Sequence, residues 1–284
     1  MTNMKFVQEL LSTGTGTEGS LLIEKTIYAS LVEEADRVLL PRELAALYFG
    51  PAQINGSSID VDLVVPLSMK VREIAEGADI PVDQVEYTSF NMKPVKYGVS
   101  LRITREMLED GKWNLLEHNV KYAGKRMAEN ENSLVISDAL DNATNTISGG
   151  ASVTIANITA AMQKLEEQDY TPTDFVVGYE VLNDIRNIDT FAEADKSGSA
   201  ELLETGFKGT IYGMRVFRVS SNAGMTKTSA YVLDRRFAYA LAEKRPLTVE
   251  RFELPSHDMS AASVTHRLKA RHVRADAICK ITSS

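Results

Sequence analysis

The sequence contains few of the residues that build disulfides, metal sites and membrane spans. Cys279 is the only cysteine, so neither an intrachain disulfide nor a multi-cysteine metal site can form. The apolar run from Phe237 to Ala242 is far shorter than the roughly 20 residues that a helix needs to cross a bilayer. The first residues, Met1 to Lys5, lack an apolar signal core. We therefore expect no membrane span and no secretion, and a chain stabilised by packing or by partners.

Positive charge is also in short supply. The chain has 31 Lys and Arg against 39 Asp and Glu, which gives a net charge of −8 and a pI near 5.2. A protein that coats nucleic acid needs a surplus of cations to displace counterions, so this balance argues against direct DNA binding. An acidic chain is still compatible with a protein shell that encloses DNA, because an acidic inner surface does not bind the polyanion and lets it enter and leave. The 44% of hydrophobic residues predicts a packed fold.

Patterns of catalytic residues are missing as well. The histidines do not occur at the spacing of a zinc-binding motif, and no G-x-S-x-G motif is present. The acidic pair Glu166-Glu167 falls on a predicted exposed helix face, which gives no burial to tune it for acid–base work. We predict no catalytic residue, no metal site and no cofactor. The histidines concerned are His118, His257, His266 and His272.

One short motif offers an alternative. Gly14, Gly16 and Gly19 form a literal G-x-G-x-x-G inside a stretch of Gly, Ser and Thr. A dinucleotide-binding turn requires a buried strand before the motif, and Met4 to Leu11 does not have strand character. The stretch is typical of a flexible arm. An oxidoreductase using this loop remains the remote alternative.

Two strands and a long loop follow the arm. Apolar residues alternate with polar ones over Ile59 to Val65 and again over Val95 to Ile103, which predicts two half-buried strands that pair with each other in antiparallel fashion. The segment between them, Pro66 to Pro94, is too long and too charged for an ordinary connection. It is interpreted either as a mobile surface insertion or as an extended hairpin that reaches a neighbouring subunit.

After Thr104 the apolar period becomes helical. Asn114 and Glu117 form a plausible capping box for a long amphipathic helix that runs to about Leu140. An alternation of helix and strand then predicts a separate α/β lobe over about 150 to 228. Its predicted elements are a helix from Asn157 to Gln168, a strand from Phe175 to Val177, a helix from Val181 to Ile188 and a strand from Met214 to Val219.

The C-terminal part returns to strand character. Three strands are predicted, over Tyr231 to Leu241, Leu247 to Leu254 and Val264 to Ile281. The last one is locally basic in an acidic chain. Two interpretations remain open: a solvated basic strand face, or a contact ledge that receives loop acids from another copy. The predicted intersubunit residues are Lys70, Arg72, Glu73, Glu76 and Asp79 in the loop and Arg267, Lys269, Arg271 and Arg274 in the strand.

The order of these parts resembles a known family. The sequence LRITREMLEDGKWNLLEHNVKYAGKRMAENENSLVISDAL is similar to the strand and spine helix of the major capsid proteins of tailed phages, the Hong Kong-phage-type fold that encapsulins share. VREIAEGADIPVDQVEYTSFNMKPVKYG resembles the extended loop of that family, and NITAAMQKLEEQDYTPTDFVVGYEVLNDIRN with GTIYGMRVFRVSSNA resembles its axial lobe. SAYVLDRRFAYALAEKRPLTVERFE and HRLKARHVRADAICKIT resemble the strands that close its peripheral lobe. The resemblance covers about Ser12 to Ile281.

The resemblance implies an α+β fold in which a spine helix lies on an antiparallel sheet. The implied segments are an N-terminal arm (1–50), an extended loop with flanking strands (51–104), the spine helix of the peripheral lobe (105–149), an axial lobe (150–228) and the C-terminal strands of the peripheral lobe (229–284).

The function implied by the resemblance is that of a structural shell subunit, not an enzyme. Such subunits form pentamers and hexamers of an icosahedral capsid that encloses double-stranded DNA without sequence-specific binding. The expected partners are other copies, a separate scaffolding protein and a portal, with a decoration protein left open. The expected location is the virion, assembled in the host cytoplasm. An encapsulin-type compartment that encloses a cargo enzyme is the alternative, although encapsulin-like chains begin with a cargo-docking helix instead of a Gly/Thr-rich arm.

Two features depart from parts of the family. Too little chain precedes Ile59 to supply a built-in scaffolding region, which is why a separate scaffold is expected. Some relatives cross-link a loop lysine to an asparagine of the peripheral lobe. Lys70 is available here, but no asparagine follows Asn222.

We therefore predict that no covalent cross-link forms between subunits. Assembled particles boiled in denaturant should run as a single band of monomer on a gel. A ladder of multimers that disappears in a Lys70→Arg variant would contradict this expectation.

Overall fold

A computed structural model of the chain describes residue 40 and residues 42–64, 71–77, 79–80, 82–83, 85–109, 115–187, 210–254 and 258–283. The glycines Gly14, Gly16 and Gly19 of the predicted arm, the loop residue Lys70 and the helix cap Asn114 lie outside the described residues. The described fold therefore begins at the end of the predicted arm.

The described residues contain one long helix and three shorter ones. The long helix ends at Asp138, close to the predicted end at Leu140, and the next two helices each begin two residues before their predicted starts. Periodicity of apolar residues thus located each of these elements, with small errors at the boundaries. The helices are α1 (Arg105–Glu109), α2 (Leu115–Asp138), α3 (Ile155–Glu166) and α4 (Tyr179–Arg186).

The strands form three sheets, so the predicted α+β class is confirmed. The first sheet has the order β1-β10-β11-β4, the second β5-β12-β9-β6-β8-β7, and the third contains β2 and β3 alone. The strands are β1 (Leu47–Phe49), β2 (Ile59–Val64), β3 (Tyr87–Met92), β4 (Val95–Thr104), β5 (Asn145–Gly150), β6 (Asp174–Val177), β7 (Thr210–Ile211), β8 (Met214–Arg218), β9 (Ser229–Leu233), β10 (Tyr239–Leu254), β11 (Met259–His272) and β12 (Ile278–Ser283).

Helix α2 packs on one face of the four-stranded sheet. Val120 and Met127 on the helix are buried against Ile103 on β4 and Val264 on β11. These strand residues alternate with polar ones, and only the alternate positions face the helix. The spine helix on an antiparallel sheet, which the resemblance implies, is present in the described residues, and only β1 departs from it by pairing with β10 in parallel.

The six-stranded sheet carries α3 and α4 in a second core. Ile158 on α3 and Ile185 on α4 are fully buried with Phe175 on β6. β5, β12, β6 and β8 run in one direction, while β9 and β7 run in the other. The sheet is therefore mixed, with two parallel and three antiparallel pairings, and the two helices pack against it.

The expected pairing of Ile59 to Val65 with Val95 to Ile103 is wrong. β2 pairs with β3, which lies inside the predicted loop, and β4 pairs with β11. The chain turns back after the loop and forms its hairpin before it enters the sheet. Alternation predicted each strand correctly but contained no information about which strand it would meet.

The predicted strand over Tyr231 to Leu241 is also wrong, because it is two strands in different sheets. Buried Asp234 ends β9: its carboxylate accepts hydrogen bonds from the backbone N–H groups of Thr171 and Arg236 and from the Arg236 guanidinium. Burial acts to raise the pKa of Asp234, but the hydrogen bonds from Arg236 outweigh it and hold the pKa below its usual range. A charged carboxylate therefore fixes the turn at which the chain changes sheets.

The sheets divide the chain differently from the predicted segments. β9 and β12 lie within 229–284, which was assigned to the peripheral lobe, yet they hydrogen bond in the same sheet as β6 and β8. A short 3-10 turn at Ala275–Ala277 separates β11 from β12, so the predicted strand from Val264 to Ile281 is likewise split between the two sheets. Three polypeptide crossings thus connect the two larger sheets.

Candidate functional site

The loop between β2 and β3 exposes apolar side chains to solvent. Val71, Ile80 and Val82 are at least 75% exposed. A segment that buries so little of its own apolar surface gains little stability from folding alone, so several exposed apolar residues in one loop suit a site for another molecule. The single described ion pair within the loop joins Arg72 Nη2 to Asp83 Oδ1 at 3.1 Å.

The same loop is strongly acidic. Residues 71 to 86 contain one arginine and five acids. Three of the predicted intersubunit residues, Glu73, Glu76 and Asp79, are exposed. The loop therefore offers apolar and acidic groups together, a combination that suits a partner surface with cations around an apolar area.

The basic residues at the end of β11 contact the hairpin of their own chain. Arg271 donates from Nη1 to the Asn91 carbonyl oxygen at 3.1 Å, and its guanidinium lies 5.1 Å from the centre of the Phe90 ring. Arg274 donates from Nη2 to the Val64 carbonyl oxygen at 3.0 Å. The two arginines thus hold both strands of the hairpin, which sets the direction in which its loop projects.

The other two predicted ledge residues have partners too. Lys269 Nζ lies 2.7 Å from Asp138 Oδ2 at the end of α2. Arg267 donates from Nε to the Pro94 carbonyl oxygen at 3.0 Å. All four basic residues therefore have hydrogen-bond or ion-pair partners within their own chain, and none of these partners is an acid of the loop.

The structure adds two cations that sequence reasoning missed. Strand register places Lys96 on β4, Arg267 on β11 and Arg245 on β10 side by side. Adjacent strands are about 4.8 Å apart, and like charges directly opposite each other destabilise a sheet. Within the described residues neither Lys96 nor Arg245 has an ion pair. We call these three residues the cation row. No local signal could have found it, because the row exists only through long-range register.

A partly buried charged cluster joins residues 42–48 to the four-stranded sheet and to α2. Arg42 donates from Nη1 and Nη2 to the carboxylate of Glu243 at 2.8 and 3.2 Å, and its Nε lies 3.8 Å from Glu131. The Tyr48 hydroxyl donates to Glu243 as well. Burial and the hydrogen bond to Glu243 raise the pKa of Tyr48 to about 12. Three elements distant in sequence are therefore connected through one arginine.

His266 lies beside this cluster and is buried. Its ring meets Tyr97 edge to face at 5.8 Å. Burial, assisted by the positive charge of Arg42, lowers the pKa of His266 to about 4. The imidazole is therefore neutral at pH 7, and an aromatic environment of this kind fits a packing residue better than a proton carrier.

Cys279 and the possible metal ligands are the other reactive groups to consider in the described part of the chain. Cys279 is buried, and burial raises the pKa of its thiol to about 11, so the nucleophilic thiolate is scarce at pH 7. No group of three or more His, Cys, Asp or Glu side chains within the described residues could hold a metal ion. In the same part of the chain, no helix has the length and apolar character to span a membrane.

Comparisons with known proteins agree with this arrangement. A family model described as "Phage capsid protein" matches residues 87–281. No curated protein sequence matches the chain.

Solved structures show the same fold at low sequence identity. A protein of Microbacterium phage Oxtober96 is similar with a TM-score of 0.66 and 16% identity, over 86% of this chain and 91% of that chain. A protein of Mycobacterium phage Che8 has a TM-score of 0.65 and 16% identity, over 80% and 85% of the two chains. The crystal structure of a virus-like particle from Pyrococcus furiosus has a TM-score of 0.61 and 12% identity, over 91% of this chain and 99% of that chain.

Proposed function

The chain belongs to the phage capsid protein family and is a structural subunit of an icosahedral shell in the virion; on that premise we propose that its copies form pentamers and hexamers that enclose double-stranded DNA. The family match over residues 87–281 is the observation that carries the proposal. A closed shell uses the same contact surfaces repeatedly under symmetry, so many modest contacts add to a stable assembly. The family is structural, and we propose no enzymatic activity.

The two larger sheets support a division into two lobes. We assign the four-stranded sheet with α2 to the peripheral lobe and the six-stranded sheet with α3 and α4 to the axial lobe. The predicted axial segment 150–228 then gains β5, β9 and β12, because strands of one sheet move as one body. The axial lobes would meet around the five-fold and six-fold axes, and the hairpin β2–β3 would extend away from them.

The loop of the hairpin is proposed to lap over a neighbouring subunit. Its exposed acids Glu73, Glu76 and Asp79 would meet cations of the neighbour, and Val71, Ile80 and Val82 would be buried there. The cation row is a better recipient than the original ledge, because Lys269, Arg271 and Arg274 are already occupied within their own chain. Arg271 and Arg274 are proposed to orient the hairpin, and Lys70 and Arg72 to lie near the contact.

Reversing the charge of the loop is expected to prevent assembly. The variant Glu73→Lys, Glu76→Lys, Asp79→Lys should leave the free energy of unfolding of the subunit within about 0.5 kcal/mol of wild type, because the three side chains are exposed. It should fail to form shells, since lysines would face the cation row of the neighbour. Sedimentation velocity separates subunits from shells.

Two further variants complete that experiment. Glu166→Lys, Glu167→Lys changes two exposed acids at the C-terminal end of α3, outside the proposed contact, and should assemble normally. Adding Lys96→Glu and Arg245→Glu to the loop variant should restore assembly in part. Normal shells from the loop variant alone would show that the loop acids make no contact of consequence.

Other partners follow from the container function. We propose a separate scaffolding protein and a portal, assembly in the host cytoplasm, and DNA that is enclosed without sequence-specific contacts. The net charge of −8 supports the last point, because an acidic wall has little affinity for a polyanion. A decoration protein would bind the outer surface of the finished shell.

A compartment that encloses a protein cargo would share this fold, so the test must examine the contents. The full chain is expressed, purified and imaged by negative-stain electron microscopy, and the ratio of absorbance at the nucleic acid and protein maxima is recorded for native particles. Closed shells with nucleic acid support the proposed function. Shells with a protein cargo favour the compartment, and a monomer or dimer at all salt and protein concentrations rejects both.

A further inference from the structure

An exposed tyrosine occupies a tight turn at one edge of the six-stranded sheet. β7 and β8 form a hairpin in which Ile211 lies opposite Met214, and the two residues between them have φ values of 48° for Tyr212 and 82° for Gly213. Such turns favour asparagine, aspartate or glycine at the first position, because these residues tolerate positive φ. Tyr212 is 51% exposed. The positive φ of Tyr212 therefore strains the backbone, and the exposed side chain gains little packing energy within the subunit to offset that strain.

A cavity of about 570 Å³ opens at the start of α3. Its walls include Val153, Ile155 and Ala156, and Asp184 and Asn187 from α4 and its end line the other side. Asp184 Oδ2 accepts a hydrogen bond from the Val153 N–H at 2.9 Å. A carboxylate has capacity for further donors, so the cavity combines an apolar wall with an acceptor.

The turn and the cavity lie on opposite sides of the axial lobe. β7 is the strand at one edge of the six-stranded sheet and β5, which leads directly into the cavity, is the strand at the other edge. Five strand spacings separate the edges, about 24 Å. The cavity also follows the C-terminal end of β5, whereas the turn precedes the N-terminal end of the parallel strand β8. Tyr212 therefore cannot reach the cavity of its own subunit.

We propose that Tyr212 of one copy inserts into the cavity at the start of α3 of the next copy, and that repetition of this contact closes the ring of a capsomer. The inference rests on the proposed assembly into pentamers and hexamers. Two different surfaces on opposite sides of a subunit make a head-to-tail contact, which is the kind that closes into rings. The tyrosine ring packs against Val153 and Ile155, and its hydroxyl donates to Asp184.

Replacing the tyrosine separates its role in assembly from its effect on folding. Tyr212→Asn should raise the protein concentration needed for assembly by about tenfold or more, as expected for loss of a central aromatic anchor. The melting temperature of the unassembled subunit should stay the same or rise, because asparagine adopts positive φ readily. The matched control Tyr212→Phe keeps the ring, loses only the bond to Asp184, and should show a smaller shift. Light scattering against concentration measures the first quantity.

Mixing two defective variants tests the head-to-tail geometry. Ala156→Trp places a bulky ring in the cavity from an exposed position, and it should raise the protein concentration needed for assembly as Tyr212→Asn does. In an equimolar mixture each pair can form one intact contact, between Tyr212 of the Trp variant and the open cavity of the Asn variant. Chemical cross-linking of the mixture should therefore trap mixed pairs that neither variant forms alone, and absence of any mixed pair would overturn the proposal.

Wild-type particles separate failure of this contact from failure of the proposed function. Shells of the wild type together with shells of Tyr212→Asn at the same protein concentration would overturn the contact and leave the shell function intact. Absence of shells in the wild type under all conditions would reject the shell function itself, and the proposed contact with it.

Discussion

Replacing Arg42 with methionine is expected to destabilise the folded subunit by about 1–3 kcal/mol, because it leaves a buried carboxylate without its hydrogen-bond donor while solvent at the half-exposed guanidinium screens part of the interaction. The Glu243 side chain is only 4% exposed, and Arg42 neutralises it through two hydrogen bonds. Glu131 lies beside the same guanidinium. Without Arg42, the buried Glu243 carboxylate loses the guanidinium with which it is paired. Urea unfolding of the unassembled subunit measures the loss.

A double variant distinguishes an uncompensated charge from lost packing. Arg42→Met with Glu243→Met removes both members of the pair and should recover a large part of the stability, because apolar residues of similar size replace buried ions at little cost. Arg42→Lys keeps the charge but loses the paired hydrogen bonds, so it should fall between wild type and Arg42→Met. Equal stability of wild type and Arg42→Met would mean that solvent screens this cluster completely.

The subunit is also expected to lose stability as the pH falls from about 6.5 to about 4. Burial lowers the pKa of His266 from 6.5 in the unfolded chain to about 4 in the fold. Between these values the unfolded chain binds a proton that the folded chain does not, so acid favours unfolding. The contribution is fully present above pH 6.5 and amounts to on the order of 3 kcal/mol. Chemical unfolding at a series of pH values measures it.

His266→Phe supplies the control, because phenylalanine cannot titrate and can retain the contact with Tyr97. The variant should lose most of the pH dependence in this window. A smaller dependence should remain, since burial and Arg271 also lower the pKa of His272. A wild-type curve that is flat between pH 6.5 and 4 would mean that His266 is solvated in the folded subunit.

Local patterns in the sequence were sufficient for elements that bury one face. The apolar stripe containing Val120, Ala123 and Met127 predicted α2, and the buried run Phe175 to Val177 predicted β6. The succession of such elements also supported the family resemblance, which the match over residues 87–281 confirms. These features depend on residues that are close in the chain, and the spacing of those residues shows which face of the helix or strand is buried.

The candidate site was only partly readable from the sequence. The composition of the loop identified Glu73, Glu76 and Asp79 as exposed acids, and the structure places them at the surface. The contacts of the basic residues could not be predicted in the same way, because a run of cations in the sequence does not indicate which carbonyl or carboxylate group each one will bind. Arg271 and Arg274 contact the hairpin of their own chain, and Lys96 and Arg245 come to lie beside Arg267 only through strand register.

By itself, the sequence determined the class of the fold, the main helices, the strand-forming segments and the family, because periodicity and order along the chain are local properties. Only the tertiary structure decided that β2 pairs with β3, that Asp234 divides one apparent strand between two sheets, and that β9 and β12 join β6 and β8. Pairing joins residues far apart in sequence. The competing partners of a strand have the same alternation, so the choice depends on turn geometry and on the packing of the whole molecule.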